Sequence, residues 1–380
     1  MDDISDPIAA VSSANPSGVY AVYTAVDSLV WNERHGIWIA ANPSVARDVL
    51  DHPGCAVRPV REPVPASLVG STAGVIFGKL VRMTDGEGHQ QAKKAVNEAI
   101  GVLDEELVRS AARTASTLLP GVGCERFAYD LPIYTLGLLT GVPENQLSRF
   151  AELAGAFAGC LSPGASDEAM ARGIDAAERL WVWISGSGAD PVAGALPGVL
   201  KRAFTDAGVD DPDAAIANVM GFVFQAYDAT AALIANTVVH LACHPDVLDV
   251  STASWLRLVE VVSHVARHDA PIQNTRRFVT EDTTIAGQPV RAGDEILVLL
   301  ATSDDDQQIG PCPFGHGRHA CPGQRLALTI ASEAIIALGK RGMIPPKRPD
   351  VVSVRYRPSV NVRMPLIELL AGSTTRGEAR

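Results

Sequence analysis

A cysteine in a glycine-rich loop, directly before an apolar segment, limits most strongly what this chain can fold into. Residues 314–323 read Phe-Gly-His-Gly-Arg-His-Ala-Cys-Pro-Gly, and residues 326–338 continue as an apolar run with helical period. Pro322 suits the first position of a helix, so Cys321 lies at the positive end of the helix dipole. Free amides and that dipole stabilise a thiolate, which predicts a lowered pKa for Cys321. The loop therefore predicts a metal centre bound through the sulfur atom of Cys321.

This loop resembles the haem-binding loop of the cytochrome P450 family, whose pattern is Phe, two residues, Gly, three residues, Cys, one residue and Gly. The resemblance implies the cytochrome P450 fold, a triangular helical prism that is mainly α with small β-sheets and holds haem between a long central helix and the cysteine loop. It makes Cys321 the axial haem thiolate and places Arg318 or His319 near a haem propionate. The other loop residues that it assigns to cofactor binding are Phe314, Gly315 and Gly323.

The cofactor implied by this resemblance is haem b, and the implied activity is that of a haem-dependent monooxygenase. A thiolate ligand favours O–O cleavage over reversible oxygen binding. An alternative from the same residues is a zinc site, with the ligands Cys312, His316, His319 and Cys321. Zinc ligands commonly come in CxxC-like pairs, whereas these two cysteines stand nine residues apart, so the spacing favours haem.

Composition and charge indicate a globular chain with an ample core. The 380 residues are 47% hydrophobic and 20% charged, without a Pro/Gly/Ser linker or a charge block. Together with the resemblance, this predicts one haem-thiolate domain over residues 1–380, with a flexible tail at 372–380. The six cysteines lack the spacing of a disulfide framework, which favours the reducing cytoplasm. The acidic N-terminus, the lack of a membrane-length apolar run and the net charge of −11 predict no membrane anchor and no nucleic acid partner.

Hydrophobic periodicity predicts mostly helices, followed by a short β-region. The predicted helices cover residues 42–50, 88–100, 104–119, 131–139, 144–160, 167–185, 211–244 and 254–267. The predicted strands cover residues 274–279 and 295–300 around a segment at 285–290, with a late hairpin at 351–356 and 362–369. Residues 57–78 are rich in Pro, Val and Gly and are predicted to form an irregular loop. The helix over 211–244 is the longest, at about 50 Å, which is enough to cross the domain.

This longest helix carries the sequence Gln-Ala-Tyr-Asp-Ala-Thr from Gln225 onward. It is similar to the family's oxygen-activating segment, in which Ala, Gly, any residue, an acid and Thr lie over the haem and relay protons to bound oxygen. The resemblance makes Gln225, Asp228, Ala229 and Thr230 the catalytic segment, with Ala226 at the position of the glycine. Ala229 lacks the hydroxyl group of the usual threonine, and Thr230 lies about 100° further round the helix.

Proton delivery must therefore follow another route, because cleavage of the O–O bond needs protons. The substrate can supply a hydroxyl group, water held by Gln225 or Asp228 can bridge, or the enzyme can use peroxide in place of dioxygen and electrons. A structural interpretation of the same residues is that Asp228 forms an ion pair and Thr230 bonds to a helix carbonyl. We expect substrate- or water-assisted proton delivery.

A third family motif is incomplete. The family's Glu-x-x-Arg reads His264-Val-Ala-Arg267, and only thirteen residues, 301–313, separate the last predicted strand of the β-region from the cysteine loop. Arg267 is therefore either exposed or held by another acceptor, because a buried guanidinium cannot stay unpaired. The candidate acceptors are Asp269, the run Asp304-Asp305-Asp306 and backbone carbonyls of the short loop. His264 and His268 stand four residues apart on one helix face, which fits either metal ligands or structural histidines. Without a recognisable carboxylate motif beside them, the structural interpretation is favoured.

Further cofactor and substrate residues follow from the resemblance. His89 and Lys93 match the family's His-x-x-x-Arg, and Arg277 lies where another propionate-binding arginine is expected. The residues assigned to the substrate pocket are Ala226, Ile272, Gln273, Asn274, Val360 and Asn361. Their mixture of aliphatic and amide side chains predicts a small or medium specialised metabolite.

The expected partners are this organic substrate, dioxygen and a ferredoxin-type electron donor. The candidate docking patch for an acidic donor consists of Lys93, Lys94, Arg318 and Arg325. Two alternatives remain open, a peroxide-using or atypical coupling haem-thiolate enzyme and a non-catalytic haem-binding scaffold for a partner enzyme. The complete cysteine loop argues against the scaffold, since a scaffold need not keep the metal ligand.

Overall fold

The computed structural model describes residues 6–162, 164–187, 195–303, 310–344 and 354–367, and most of them are helical. The helices are α1 (Pro16–Thr24), α2 (Pro43–Asp51), α3 (Thr72–Lys79), α4 (Gly86–Val102), α5 (Glu105–Thr117), α6 (Cys124–Leu139), α7 (Leu147–Cys160), α8 (Asp167–Ser187), α9 (Leu196–Asp206), α10 (Pro212–Cys243), α11 (Trp255–His268) and α12 (Gln324–Lys340). The strands are β1 (Val30–Asn32), β2 (Ile37–Ala40), β3 (Cys55–Ala56), β4 (Asn274–Val279), β5 (Thr283–Ile285), β6 (Gln288–Val290) and β7 (Glu295–Leu299). Two short 3-10 helices, Val81–Met83 and Gly317–His319, contribute to the candidate site.

Helix α10 is the centre of the helical layer. Asp211 caps it by accepting a hydrogen bond from Asp213 N at 3.1 Å, and Pro212 occupies the first turn, where its missing N–H costs nothing. The helix contacts α3, α6, α7, α8, α9, α11 and α12, and these contacts bury most of its side chains. Its length and composition would allow it to cross a membrane, but 61% of its apolar window is buried in the protein, as expected of a core helix. The predicted helix over 211–244 is confirmed.

A five-stranded sheet has the order β1-β2-β7-β4-β3, with α2 packed against β2 and β7. Strands β2 and β7 are parallel, and the other neighbours are antiparallel. Strands β4 and β7 are the two strands predicted at 274–279 and 295–300, and the structure pairs them with Arg277 opposite Ile296. Strands β5 and β6 form a separate hairpin, whose turn residues Ala286 and Gly287 have φ of 47° and 77°. Positive φ at both residues is what a tight two-residue hairpin turn requires.

Three helices differ from the prediction: two begin at other residues, and one lies where an irregular loop was expected. Helix α6 begins at Cys124 rather than at 131, because the helix continues through Pro132 instead of starting there. Helix α3 forms within the predicted irregular loop, since Ser71 caps it by accepting a hydrogen bond from Gly74 N at 3.2 Å. Helix α12 begins at Gln324, after Pro322, so Pro322 is not its first residue.

The predicted late hairpin is present only as two bridges among the described residues. Val362 pairs with Ile272, and Tyr356 pairs with Pro365. Residues 351–353 and 368–369 of the hairpin, together with the predicted tail at 372–380, lie outside the described residues.

A buried ion pair joins the end of α11 to the last described segment. Arg363 is 4% exposed and donates to Asp269 Oδ1 at 2.8 Å, to Ser13 O at 2.8 Å and to Val11 O at 3.2 Å. Its guanidinium lies over the Tyr356 ring, 3.6 Å from the centroid, which adds a cation–π contact. Arg363 therefore connects the first and last described segments of the chain to α11.

Arg267 has a different environment. Its side chain is exposed, and none of the described residues forms a hydrogen bond or ion pair with it. Asp269, one candidate partner of Arg267, binds Arg363 instead, and the structure agrees with the other alternative, an exposed Arg267. Another candidate, Asp304-Asp305-Asp306, lies outside the described residues. Water can solvate an exposed guanidinium, so Arg267 needs no protein partner.

Replacing Asp269 by Ala should leave the buried guanidinium of Arg363 without its carboxylate. We expect the free energy of unfolding to fall by roughly 2–4 kcal/mol, because an uncompensated buried charge is costly. Urea unfolding measures this change. The matched control is Arg267→Gln, two residues away on α11, which should change the free energy by no more than about 0.5 kcal/mol. Equal losses in the two variants would contradict this assignment.

Candidate functional site

The loop before α12 is folded around Cys321 by its own backbone. Cys321 N donates to Phe314 O at 2.7 Å. Gly315 and Gly317 have φ of 73° and 62°, a left-handed backbone that residues with a Cβ rarely adopt. A Cβ on Gly317 would also lie 1.8 Å from Asp51 Oδ1. The glycines therefore set the course of the loop and let its backbone pass close to neighbouring groups.

The thiol of Cys321 is accessible, yet many protein atoms lie around it. Burial has the largest effect on its pKa and raises it. A hydrogen bond from the Gly323 amide and the charges of Lys93 and Arg82 act in the opposite direction. The predicted lowering is thus wrong for this thiol, because burial outweighs these contributions and α12 begins only at Gln324. A metal cation binds the thiolate and displaces its proton.

Four basic side chains from separate elements surround the thiol side of this loop. They are Arg82, Lys93, Arg277 and Arg318, which come from a 3-10 helix, α4, β4 and the loop itself. Arg277 is 4% exposed, and burial together with the charge of Arg318 lowers its pKa to about 10. Its Nε is buried and has no hydrogen-bond partner among the described residues. Lys93 Nζ donates to Ala320 O, directly before Cys321.

Two histidines stack beside these cations. The rings of His89 and His319 have centroids 4.3 Å apart. His89 is 2% exposed, with Nδ1 at 2.9 Å from Val81 O and Nε2 at 3.2 Å from Arg318 O. His319 Nε2 lies 2.9 Å from Asp85 Oδ1, whereas its Nδ1 is buried without a partner among the described residues. Both predicted histidines therefore belong to the same group as the basic side chains.

Asp85 supplies a carboxylate that contacts two members of this group, His319 and Arg318. Burial raises its pKa, but hydrogen bonds with His319 and Val57 N and the charge of Arg318 outweigh burial and lower the pKa to about 2. Arg318 Nε lies 3.6 Å from Asp85 Oδ1. The guanidinium of Arg318 also donates to the backbone carbonyls of Asp51, His52 and Cys55. A single carboxylate does not balance four basic side chains, so the group carries excess positive charge in a chain whose net charge is −11.

These residues fit haem. Haem carries two carboxylate groups, which match the excess positive charge and the unpaired Nε–H of Arg277. Its iron matches the sulfur of Cys321, the only thiol beside this basic group that is also accessible within the described residues. Gly315 and Gly317 allow backbone to approach a flat macrocycle.

Sequence reasoning missed two members of the site, Arg82 and Asp85. Both precede the His89-x-x-x-Lys93 motif by less than two helical turns. A basic residue so close to a predicted propionate-binding histidine is the signal that could have identified Arg82. Asp85 could not be assigned from the sequence, because its contact with His319 joins residues that are distant in the chain.

Helix α10 is partly accessible where the family's oxygen-activating segment was predicted. Residues 224–229 are all partly accessible, whereas residues 217–221 and 230–239 are buried. Gln225 donates to Gly221 O at 2.7 Å and accepts from Arg82 Nη1 at 3.2 Å, which joins this segment to the basic group. The helix is uninterrupted and has no bulge, so Thr230, at 3% exposure, does not replace the hydroxyl missing at Ala229.

Asp228 forms an ion pair. Arg357 Nη2 donates to Asp228 Oδ1 at 2.8 Å, and Arg357 Nη1 donates to Tyr129 OH at 2.9 Å. The Tyr129 ring stacks on Tyr227, with centroids 4.9 Å apart. The carboxylate of Asp228 is thus ion-paired with Arg357 on a partly buried face rather than an exposed one. The other half of the structural interpretation, a bond from Thr230 to a helix carbonyl, has no counterpart among the hydrogen bonds of the described residues.

The residues predicted to line the substrate pocket fall into two groups. Ala226, Ile272, Val360 and Asn361 are partly accessible. Gln273 and Asn274 are 2% and 4% exposed, and their amides donate to Ala270 O at 2.6 Å and to Val360 O at 2.9 Å. These two amides hold the connection between α11 and β4, and their burial gives no support to the expectation that they line a pocket.

The alternative zinc ligands do not converge. His316 Nε2 lies 3.1 Å from Asp51 Oδ2, and His319 binds Asp85. Cys312 is 8% exposed and packs in the core cluster of the sheet. Because these side chains point to different partners, the structure favours a single-thiolate site over a zinc site.

Parts of the predicted docking patch are engaged within the protein. Lys94 lies 3.9 Å from Glu98 on the exposed face of α4. Arg325 Nη2 donates to Leu103 O at 2.8 Å. Arg318 is bound to carbonyls and Lys93 is directed at Ala320, whereas Lys94 is an exposed cation of this patch, although Glu98 partly neutralises it.

The chain is similar in sequence to known monooxygenases. The chain is 28% identical to the cytochrome P450 monooxygenase PikC of Streptomyces venezuelae over 57% of this chain and 55% of that protein. It is 26% identical to the erythromycin C-12 hydroxylase of Saccharopolyspora erythraea over 92% of this chain and 93% of the hydroxylase. The matched part thus spans about half the length of the first relative and nearly all of the second. No family model matches the chain.

The fold is also similar to that of a solved structure. The crystal structure of CalO2 superposes with a TM-score of 0.80 at 22% identity, covering 95% of this chain and 96% of that chain. This likeness confirms the mainly α fold with small sheets that the cysteine loop predicted.

Replacing Gly317 by Ala should strain the cysteine loop. The left-handed backbone and the close approach of Asp51 predict a loss of about 1–3 kcal/mol in the free energy of unfolding, measured by urea unfolding. Gly310→Ala is the matched control in the same loop, since a Cβ there has no neighbour within 4 Å. A Gly317→Ala variant as stable as the control would show that the loop does not need this conformation.

Proposed function

Because this chain belongs to the cytochrome P450 family, we propose that it is a haem-thiolate monooxygenase that oxidises a small or medium specialised metabolite. The observation that carries this proposal is the meeting of Cys321 with an excess of basic side chains beside the accessible segment of α10. The thiol and the cations suit the cofactor, and the side chains of the accessible segment can contact an organic substrate.

Each part of haem has a group to hold it. Cys321 Sγ would bind the iron, and Arg277, Arg82 and Lys93 would neutralise the carboxylates, with His89 and His319 beside them. Lysine supplies charge at position 93 but not the bidentate fork of an arginine. We infer haem b from the family. When bound, it supplies the redox chemistry that activates oxygen for transfer to the substrate.

Protons reach the site from water or from a hydroxyl group of the substrate. Ala229 has no hydroxyl, Thr230 is buried, and the carboxylate of Asp228 is held by Arg357 at 2.8 Å. Gln225 lies on the accessible segment and contacts Arg82, so its amide can hold a bridging water molecule. This arrangement supports substrate- or water-assisted proton delivery.

The substrate class and the partners follow from the relatives and from charge. The names of PikC and of the erythromycin C-12 hydroxylase support a role in specialised metabolism. We propose a ferredoxin-type donor, which an acidic surface would bring to the basic side of the cysteine loop. No disulfide joins cysteines within the described residues, which supports a cytoplasmic location.

One observation favours a second candidate function. His264 replaces the glutamate of the family's Glu-x-x-Arg, and Arg267 is exposed without a partner among the described residues. A chain that has lost this clamp could bind haem as a non-catalytic scaffold for a partner enzyme. Turnover of any substrate with dioxygen and reductant, or with peroxide, excludes the scaffold.

Carbon monoxide bound to the reduced protein tests the thiolate ligand. We expect the strongly red-shifted Soret band that a thiolate opposite carbon monoxide produces, and we expect Cys321→Ser to lose it. Cys243→Ser is the matched control, because Cys243 is an exposed thiol on α10, and it should keep the band. Haem without the shift in the native protein would favour the scaffold, and zinc in place of haem would overturn the proposal.

An Ala229→Thr variant tests the proton route. If water or substrate completes the relay, the added hydroxyl should keep or raise the amount of product formed per dioxygen consumed. Oxygen uptake measured together with product gives this ratio. Ala229→Val is the matched control, since valine has the shape of threonine without its hydroxyl. A lower ratio for the threonine variant than for the valine variant would contradict the proposed route.

A further inference from the structure

Four of the nine histidines of the chain form a cluster between α10 and α11, away from the candidate haem site. His240 and His244 stand four residues apart at the end of α10, with ring centroids 4.7 Å apart. His264 and His268 stand four residues apart on α11, with centroids 4.3 Å apart. His240 and His264 join the two pairs, with centroids 5.4 Å apart. We call these residues the histidine cluster.

The electrostatic surroundings of His240 and His264 are dominated by the cluster itself. His240 is partly buried, and His244, His264 and His268 are exposed. The charged groups that act on His240 and His264 are the neighbouring imidazoles and Arg267. Burial and the neighbouring imidazoles lower the pKa of His240 to about 4, so this ring is uncharged at neutral pH. Neutral imidazole is the form of histidine that binds metal ions.

We propose that the histidine cluster binds one late first-row divalent metal ion, such as Zn²⁺, and so connects the end of α10 to α11. Two histidines four residues apart on a helix lie on one face and can share a metal ion. Here two such pairs from adjacent helices face each other, and four imidazole nitrogens suit the tetrahedral geometry of Zn²⁺. Nitrogen ligands without a carboxylate also suit Cu²⁺ and Ni²⁺.

The four imidazole rings must rotate before their nitrogen atoms can coordinate one metal ion. No three His, Cys, Asp or Glu side chains in the described parts of the chain are placed to hold a metal ion as they stand. The rings stack on one another instead, and those of His244, His264 and His268 are exposed, so they can change rotamer rapidly. His244 Nδ1 lies 3.1 Å from His240 O, which leaves its Nε2 for the metal ion. The charge of Arg267 acts against a bound cation and sets a limit on the affinity.

A metal ion bound by the histidine cluster would connect α10 and α11 where the Glu-x-x-Arg contact of the family is missing. His264 stands where the family's Glu-x-x-Arg has its glutamate, and Arg267 has no partner among the described residues. A metal ion held by both helices stabilises the folded state in proportion to its binding, because the unfolded chain does not hold the four ligands together.

Isothermal titration of the full-length protein with Zn²⁺, after removal of metal by a chelator and at neutral pH, tests this proposal. We expect saturable binding of one Zn²⁺ per chain, an affinity at least tenfold lower in His264→Gln, and no specific binding in the His240→Gln/His264→Gln double variant. His35→Gln is the matched control, since His35 lies beside Asp6 and far along the chain from the cluster. It should bind as the native protein does.

Each other outcome overturns the proposal. Unchanged affinity in His264→Gln would mean that α11 contributes no ligand, and binding that persists in the double variant would place the ligands elsewhere. Absence of binding by the native protein would leave the histidines with a structural role. Every cysteine is retained in these variants, so a loss cannot come from a thiol. Zn²⁺ titration does not report on haem, so its result is independent of the proposed oxygenase activity.

Discussion

The burial of α10 is the constraint on which the rest of the structure depends. A helix of 32 residues that is apolar on almost every side must be covered on all sides, and seven other helices do this. The exception is residues 224–229, where the helix is partly accessible. This accessible segment contacts Arg82 through Gln225. Because Arg82 also acts on the thiol of Cys321, the cysteine loop and its basic neighbours lie on this side of the helix.

Electrostatics separates the candidate site from the rest of the molecule. The chain is acidic as a whole, yet Arg82, Lys93, Arg277 and Arg318 come together around one carboxylate. Repulsion and burial make this arrangement unfavourable by itself, as the lowered pKa of Arg277 shows. Such a site is stable when anionic groups join it, which is the physical reason to connect it with the carboxylates and thiolate-bound iron of haem.

The C-terminal half is held by ionic contacts other than the family's Glu-x-x-Arg. Arg363 and Asp269 connect α11 to both ends of the described chain. The side chain of Glu333 in α12 is 4% exposed and lies 2.8 Å from Arg109 Nε of α5, and the guanidinium of Arg109 lies 4.0 Å from the ring centroid of Trp255 in α11. These contacts join α5, α11 and α12, so the exposed Arg267 does not leave this region without support.

The amino-acid sequence by itself determined the long apolar helix, strands β4 and β7 and the ligand-bearing loop, because periodicity, caps and glycine spacing act between residues that are close in the chain. It also indicated His89, Lys93, Arg277 and His319, through spacing within a known motif. Only the tertiary structure decided that Arg82 and Asp85 join them, that Asp269 binds Arg363 rather than Arg267, and that two histidine pairs meet between α10 and α11. These contacts join residues from different elements, and the packing of helices against each other, which no local pattern encodes, decides which of them meet.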